Sequence, residues 1–341
     1  MNKTFYRWII SFVVLMLAAC SATPTSAPPA APAAPPIVPS ATQVSLPPVT
    51  STPSPIPTQA PTNIPSIAVP SATPTSATPT LGSTKVSDKD KMVEIYIPGG
   101  EFTMGAVNDP DARQVIDHEH SFPEVPSFKF TLDSYWIDKF DVTNSQWALC
   151  VAAGACKPPK TGLFSLPNYA SDPKYANYPV VSITWFMATD YCKWAGRRLL
   201  TEAEWEKAAR GTDARKYPWG NDPVTSKRAN FCDVHCPRTI ANSNFNDGYP
   251  EMSPVGSFPD GASPFGVMDM AGDVWNWTST LIRNYPYNPT DGREDQNAPG
   301  ERVWRGGTWS DGTWWLRSSL RYHSPPTYYI TNLGLRCGSS N

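Results

Sequence analysis

Between Ser21 and Thr84 the chain carries no Asp, Glu, Lys or Arg. The stretch is built from Pro, Thr, Ser and Ala with a few aliphatics. It cannot bury enough apolar surface to offset its chain entropy. Its proline density predicts an extended, polyproline-like tether. At about 3.1 Å per residue its greatest reach is on the order of 200 Å. Its composition makes it a candidate for O-glycosylation. Its task would be to hold residues 86–341 away from a surface.

A long hydrophobic run is also missing at the N-terminus. Trp8 to Ala19 is apolar for twelve residues, and a membrane-spanning helix needs about 20. Lys3 and Arg7 precede it, which is the layout of a secretory signal. The run ends Leu17-Ala18-Ala19-Cys20 and resembles the lipoprotein cleavage box of bacteria. That resemblance implies a signal over residues 1–20, a lipid on Cys20, and a mature chain anchored to the membrane outside the cytoplasm.

Excess charge of either sign is absent. After Cys20 the chain has 26 basic and 30 acidic residues. This weakly acidic balance offers no nucleic-acid surface. No G-x-S-x-G, Walker A or Rossmann glycine pattern occurs, so there are no sequence grounds for a serine hydrolase or a nucleotide enzyme. Histidine is scarce, with four in the chain. His118 and His120 alternate beside Asp117 and Glu119 and read as a solvated loop in preference to a metal site.

What is present, from Val86 to Asn341, is 256 residues. That is enough for one large domain, read as a monomer, with a substantial core. Twelve of the thirteen tryptophans fall in it, which predicts a compact aromatic-rich body. Residues 92–105 read as a strand, a Pro-Gly-Gly turn and a second strand, and residues 128–141 as another strand pair. Three short helices come next. The first runs from a Thr143 cap to Gly154. The second is capped by Thr184 and ends at Gly196, with Trp185, Ala188, Cys192 and Ala195 on one face. The third opens on a Thr201/Glu204 capping box and stops at Gly211.

The stretch from Arg305 to Cys337 holds the candidate site. Gly306-Gly307 predicts a backbone bend. Trp309, Trp314 and Trp315 are large apolar surfaces to be buried or used for binding. Arg317, Arg321 and Arg336 are fixed positive charges.

These motifs, taken in order, resemble the formylglycine-generating enzyme (sulfatase-modifying factor) family. The matching runs are Ile97–Gly105, Tyr135–Trp147, Pro179–Trp185, Tyr191–Gly211, Ser253–Thr278, Arg302–Trp309 and Asn332–Cys337. The resemblance covers residues 92–338. It implies a single mixed α+β domain related to C-type lectins, with little regular secondary structure.

Authentic members of that family bind copper(I) through two cysteines beyond the Gly-Gly-Ser turn and use oxygen to oxidise a sulfatase cysteine. Here Trp309–Leu316 contains no cysteine and is a few residues shorter. Ser310 or Asp311 stands where the first thiol would be, and Trp315 or Leu316 near the second. Hard oxygen donors do not suit Cu(I), so no copper is expected. The family's iron-dependent sulfoxide synthases carry a further helical domain with a His-rich iron site, for which residues 86–341 leave no room.

Seven cysteines occur in the chain, and an oxidising compartment favours disulfides once Cys20 is set aside. Cys150 and Cys156 are close in sequence, Cys232 and Cys236 frame a short loop, and the resemblance implies a Cys192–Cys337 pair. A rival reading takes Cys232, His235 and Cys236 as zinc ligands, with no fourth in view. The resemblance also implies two structural calcium sites. The first would use the Asn230 side chain, the Phe231 carbonyl, the Asp247 side chain and the Tyr249 carbonyl. The second would use Gly272, Asp273, Val274 and Asn276, with Asp and Asn exchanged for the family's Asn and Glu. Oxygen donors of these kinds are what Ca²⁺ takes.

Three functions stand as expectations. The first is a non-catalytic, surface-anchored member that binds an extended peptide or glycan in a groove of Trp309, Ser310, Asp311, Trp314, Arg317, Arg321 and His323. The second is a formylglycine-generating or other oxidoreductase-type modifying enzyme working with other ligands. The third is a purely structural envelope protein.

Overall fold

The computed structural model describes residues 78–107, 109, 112, 123–160, 166 and 168–341, all inside the compact unit Ala72–Asn341. The signal, Cys20, the tether up to residue 77 and the group Asp117–His120 lie outside the described residues.

In chain order the strands are β1 (Thr84–Val86), β2 (Val93–Ile97), β3 (Gly100–Met104), β4 (Phe128–Leu132) and β5 (Tyr135–Asp138). Helix α1 (Asn144–Ala152), helix α2 (Trp185–Trp194), β6 (Arg198–Leu199) and α3 (Glu202–Arg210) come after them. The last third adds β7 (Trp275–Leu281), β8 (Arg302–Arg305), β9 (Tyr322–Ser324), β10 (Leu333–Leu335) and β11 (Cys337–Ser340). One sheet runs β1-β2-β5-β11-β6, a second runs β10-β7-β8-β9, and β3 pairs with β4. Long irregular connections separate the elements, as an α+β domain of this type requires.

Neither expected strand pair is a hairpin. β2 pairs with β5, and β3 with β4. The Pro98-Gly99-Gly100 turn passes the chain from one sheet to the other, and Asp133-Ser134 passes it back. A Cβ on Gly99 would lie 3.0 Å from the Ser134 nitrogen, so these two turns stack with no room for a side chain.

The helices start where the sequence places them. Thr143 and Gln146 form a capping box on α1, Thr184 caps α2, and Thr201 with Glu204 forms a second box on α3. Each box satisfies backbone N–H groups that the first turn leaves without partners. The apolar face of α2 packs Trp185, Ala188 and Cys192 into a cluster with Trp147, Trp275, Trp277 and Trp304. The rings of Trp147 and Tyr191 stack at 5.2 Å.

All three disulfides form: Cys150–Cys156, Cys192–Cys337 and Cys232–Cys236. The last removes the zinc reading, because sulfurs bonded to each other are not thiolate ligands. Cys192–Cys337 ties α2 to β11, the strand that sits between β5 and β6.

Helix α3 is a core element, as expected, but not through its apolar residues alone. Its charged residues are as buried as its alanines. Glu202 accepts from Arg321 at 2.5 and 2.9 Å. Glu206 pairs with Arg305 and accepts from Arg210 at 2.8 Å. A buried ion pair of this kind specifies one arrangement, because removing either partner strands the other charge.

Candidate functional site

The site begins at two backbone turns. At Gly272, φ is +79°, and a Cβ there would stand 2.1 Å from the Asn230 carbonyl oxygen. Glycine is therefore required where the chain enters β7. β8 ends at Arg305, and Gly306-Gly307 comes next with φ of +112° and +75°. A Cβ on Gly307 would meet the Trp315 carbonyl oxygen at 2.8 Å. The pair thus folds Thr308–Leu316 back over the end of the β10-β7-β8-β9 sheet.

That fold-back closes a cavity of about 470 Å³. Its aromatic lining comes from Trp275 on β7, Trp304 on β8, Tyr322 on β9, Trp315 in the short 3-10 turn Thr313–Leu316, and Tyr328 in a loop. Ring centroids lie 5.4 Å apart for Trp275 and Trp304, and 4.8 Å apart for Trp304 and Tyr322. Arg238, Ser310, Asp311, Ile330, Thr331 and Asn332 complete the lining. Asn332 Nδ2 donates to Ser310 Oγ at 3.0 Å, which ties the loop before β10 to the fold-back.

Asp311 is held by its own backbone. Its N–H donates to Thr308 O at 3.0 Å, and its carbonyl accepts from Cys232 N–H at 2.8 Å. The Cys232–Cys236 loop is thereby clamped to the cavity wall. Burial pushes the Asp311 carboxyl up to about 7, against the pull of Arg238 and of the Trp275 indole N–H. Its Oδ2 is sealed from solvent with no hydrogen-bond partner among the described residues. Desolvation disfavours the charged form of a carboxyl, which is the direction seen.

Of the seven residues expected to form a groove, Ser310 and Asp311 line the cavity and the others do not. Arg317 and Arg321 are fully buried. Arg317 pairs with Glu124 and lies 4.0 Å over the Trp314 ring. Arg321 pairs with Glu202 and lies 3.9 Å over Tyr285. Both are core residues, because a desolvated guanidinium needs a carboxylate partner. Trp309 is buried against Tyr169, Val181 and Met252. Trp314 packs on Arg317 and on Trp315, with ring centroids 5.0 Å apart for the two tryptophans. His323, on β9, pairs with Glu301 away from the cavity. Trp275, Trp304, Trp315, Tyr322 and Tyr328, the whole aromatic lining, fell outside the expected groove, as did Arg238, Ile330, Thr331 and Asn332. The i, i+2 spacing of Trp275 and Trp277 on a strand carried a signal for Trp275.

The calcium residues divide in the same way. Asn230-Phe231 and Asp247–Tyr249 come together: Asp247 Oδ2 accepts from Phe231 N–H at 3.1 Å, and Oδ1 from Tyr249 N–H at 2.9 Å. Asn230 Oδ1 is buried without a hydrogen-bond partner among the described residues. Burial lifts the Asp247 carboxyl to about 6. An orphaned amide oxygen beside a desolvated carboxylate fits a hard cation. In the second set, Asp273 fits and Asn276 does not. Asp273 Oδ2 is buried with no hydrogen-bond partner among the described residues, and burial raises its carboxyl well above the usual range. Asn276 is a correction to the expected ligands. Its Oδ1 accepts from Trp205 Nε1 at 3.0 Å and Arg336 Nε at 2.9 Å, and its Nδ2 donates to Asp141 at 2.8 Å. The backbone of Gly272–Val274 packs on Asn230, where Asp273 N–H donates to Asn230 O at 3.0 Å. Asn230 Nδ2 also donates to Asp273 Oδ1 at 3.0 Å, so the two expected sets meet at this pair. Among the described residues no group of three or more His, Cys, Asp or Glu converges as a metal site. Calcium here would rely on amide and carbonyl oxygens as well.

Copper(I) does not fit the donors present. All six cysteines of the domain are joined in disulfides, and the cavity wall offers oxygen and indole groups in their place.

Comparison with known proteins gives the setting of this site. The family model described as sulfatase-modifying factor enzyme 1-like domain matches residues 79–340. Inactive C-alpha-formylglycine-generating enzyme 2 of Bos taurus is 36% identical, over 72% of this chain and 87% of that protein. Formylglycine-generating enzyme of Mus musculus is 28% identical, over 72% of this chain and 75% of its own length. Serine/threonine-protein kinase pkn1 of Chlamydia pneumoniae is 30% identical, and the match spans 72% of this chain but only 38% of the kinase. Among solved structures, PvdO from Pseudomonas aeruginosa aligns with a TM-score of 0.61 at 27% identity, covering 77% of this chain and all of that one.

Proposed function

The chain belongs to the sulfatase-modifying factor enzyme 1-like family, and from that premise we propose that its domain is a ligand-binding member without copper chemistry. The observation that carries this reading is the donor set. A desolvated carboxylate, Asp311, stands on the cavity wall where thiolates would be needed, and every cysteine of the domain is in a disulfide. Cu(I) is held by soft sulfur ligands. The bovine relative bears the name of an inactive enzyme, which agrees with this reading. An aromatic cavity with a few polar groups suits an extended peptide or a glycan.

The same proposal puts the domain at the outer face of a membrane as a monomer. It would be lipid-anchored through Cys20 and held off by the charge-poor tether of residues 21–85. Calcium at Asn230, Phe231, Asp247 and Tyr249 would be structural, bracing the Cys232–Cys236 loop that clamps Asp311.

Peptide and glycan arrays probed with the purified full chain test the reading. The expected result is retention on one class of probe that is lost on Trp315→Ala. Absence of retention on every probe, or product release from a protein substrate, would contradict it. The alternative, a modifying enzyme acting on proteins, draws on one observation: a carboxyl near 7 trades protons at neutral pH.

A further inference from the structure

The cavity places one carboxyl in an aromatic setting, offset in charge only by a solvent-exposed arginine. Asp311 is the single acidic residue in its lining. Trp275, Trp304, Trp315, Tyr322 and Tyr328 surround it, while Ser310, Thr331 and Asn332 are neutral. Arg238 is the single basic residue of the lining, and it is exposed at the rim of a loop. Its charge pulls on Asp311, yet burial outweighs that pull, so an arginine screened by water offsets the carboxylate only in part.

Ring faces of Trp and Tyr attract cations, most strongly where water is excluded. A neutral sugar would stack on these rings and leave the carboxylate with only the screened Arg238 as counter-charge. A cation on a short apolar stem meets both needs at once. Its alkyl chain covers the rings and its charge lies beside Asp311.

We propose that the cavity takes the ammonium group of a lysine side chain on an extended peptide, with Asp311 as its counter-ion. This rests on the ligand-binding reading above and sharpens it to one class of ligand. A lysine stem of four methylenes would run past the half-buried ring of Tyr322, which the buried Trp304 supports edge to face. Trp315 and Tyr328, half-buried and exposed respectively, are placed to flank the peptide backbone.

The test titrates the full chain with an acetylated, amidated pentapeptide of alanines with one central lysine. Its Nε-acetyl-lysine counterpart is the neutral control. Calorimetry and tryptophan fluorescence both report binding. The lysine peptide should bind at least tenfold more tightly than the acetylated one. Asp311→Asn should abolish that preference, and Asp311→Glu, which keeps the charge, should retain it. A thermal melt of each variant separates lost recognition from lost folding. Equal binding of the two peptides, or an Asp311→Asn protein with its preference intact, overturns the proposal. If array ligands still bind in that case, the broader ligand-binding reading survives. If neither peptide nor any array probe binds, both readings fall.

Discussion

Asp311 is held where its charge is penalised, and that gives it a pH signature. Its folded-state carboxyl lies near 7, above the ordinary value of about 4 for an unfolded chain. The folded protein therefore binds the extra proton between those values. The stabilisation is fully present below about pH 4 and is lost as pH rises through about 7. Asp311→Asn removes the penalty, so the variant should match wild type near pH 4 and exceed it at pH 8 by on the order of 1–3 kcal/mol. Urea denaturation at the two pH values measures this; equal differences at both would contradict it. At this scale the sequence was legible where chemistry is local. The Thr143 cap, the Thr201/Glu204 box and the Gly306-Gly307 bend all sit where sequence spacing puts them. It was not legible for Arg321, whose partner Glu202 lies 119 residues upstream on α3. A run of arginines among tryptophans looks like a binding surface until the acids that bury it are located.

Between elements, the C-terminal strands close the domain by covalent as well as hydrogen bonds. Cys192–Cys337 spans 145 residues, and Cys232–Cys236 spans 4. In the chain-entropy account the long loop contributes roughly 5 kcal/mol and the short one roughly 2. Replacing Cys192 and Cys337 together by Ser should therefore lower the denaturation midpoint more than twice as far as replacing Cys232 and Cys236. A larger loss from the short loop would mean that its clamp on Asp311, through Cys232 N–H, matters more than chain entropy. The strands themselves were recognisable, but their pairing was not. β2 with β5 and β3 with β4 depend on two stacked turns that no single segment announces. The cavity lining was hidden for the same reason, since Trp275, Trp304 and Tyr322 meet only because β7, β8 and β9 are neighbours in one sheet.

For the whole molecule, the buried oxygens of Asn230 and Asp273, unpaired among the described residues, and the raised carboxyls of Asp247 and Asp273 support the proposed calcium, which protons would replace at low pH. Calcium should raise the melting temperature of chelator-treated protein at pH 8 and do so less at pH 5, where Asp247 is protonated. A melting temperature indifferent to calcium and chelator at pH 8 would remove the calcium reading and leave the rest intact. On the proposed reading, the family scaffold surrounds a cavity that offers oxygen donors where copper would need sulfur. Titration of the reduced metal, Cu(I), against a competing chelator with the purified full chain tests that claim most directly. The account predicts no stoichiometric uptake and no aldehyde on a sulfatase-derived cysteine peptide. One tightly held Cu(I) per chain, with aldehyde formed under oxygen, would contradict it.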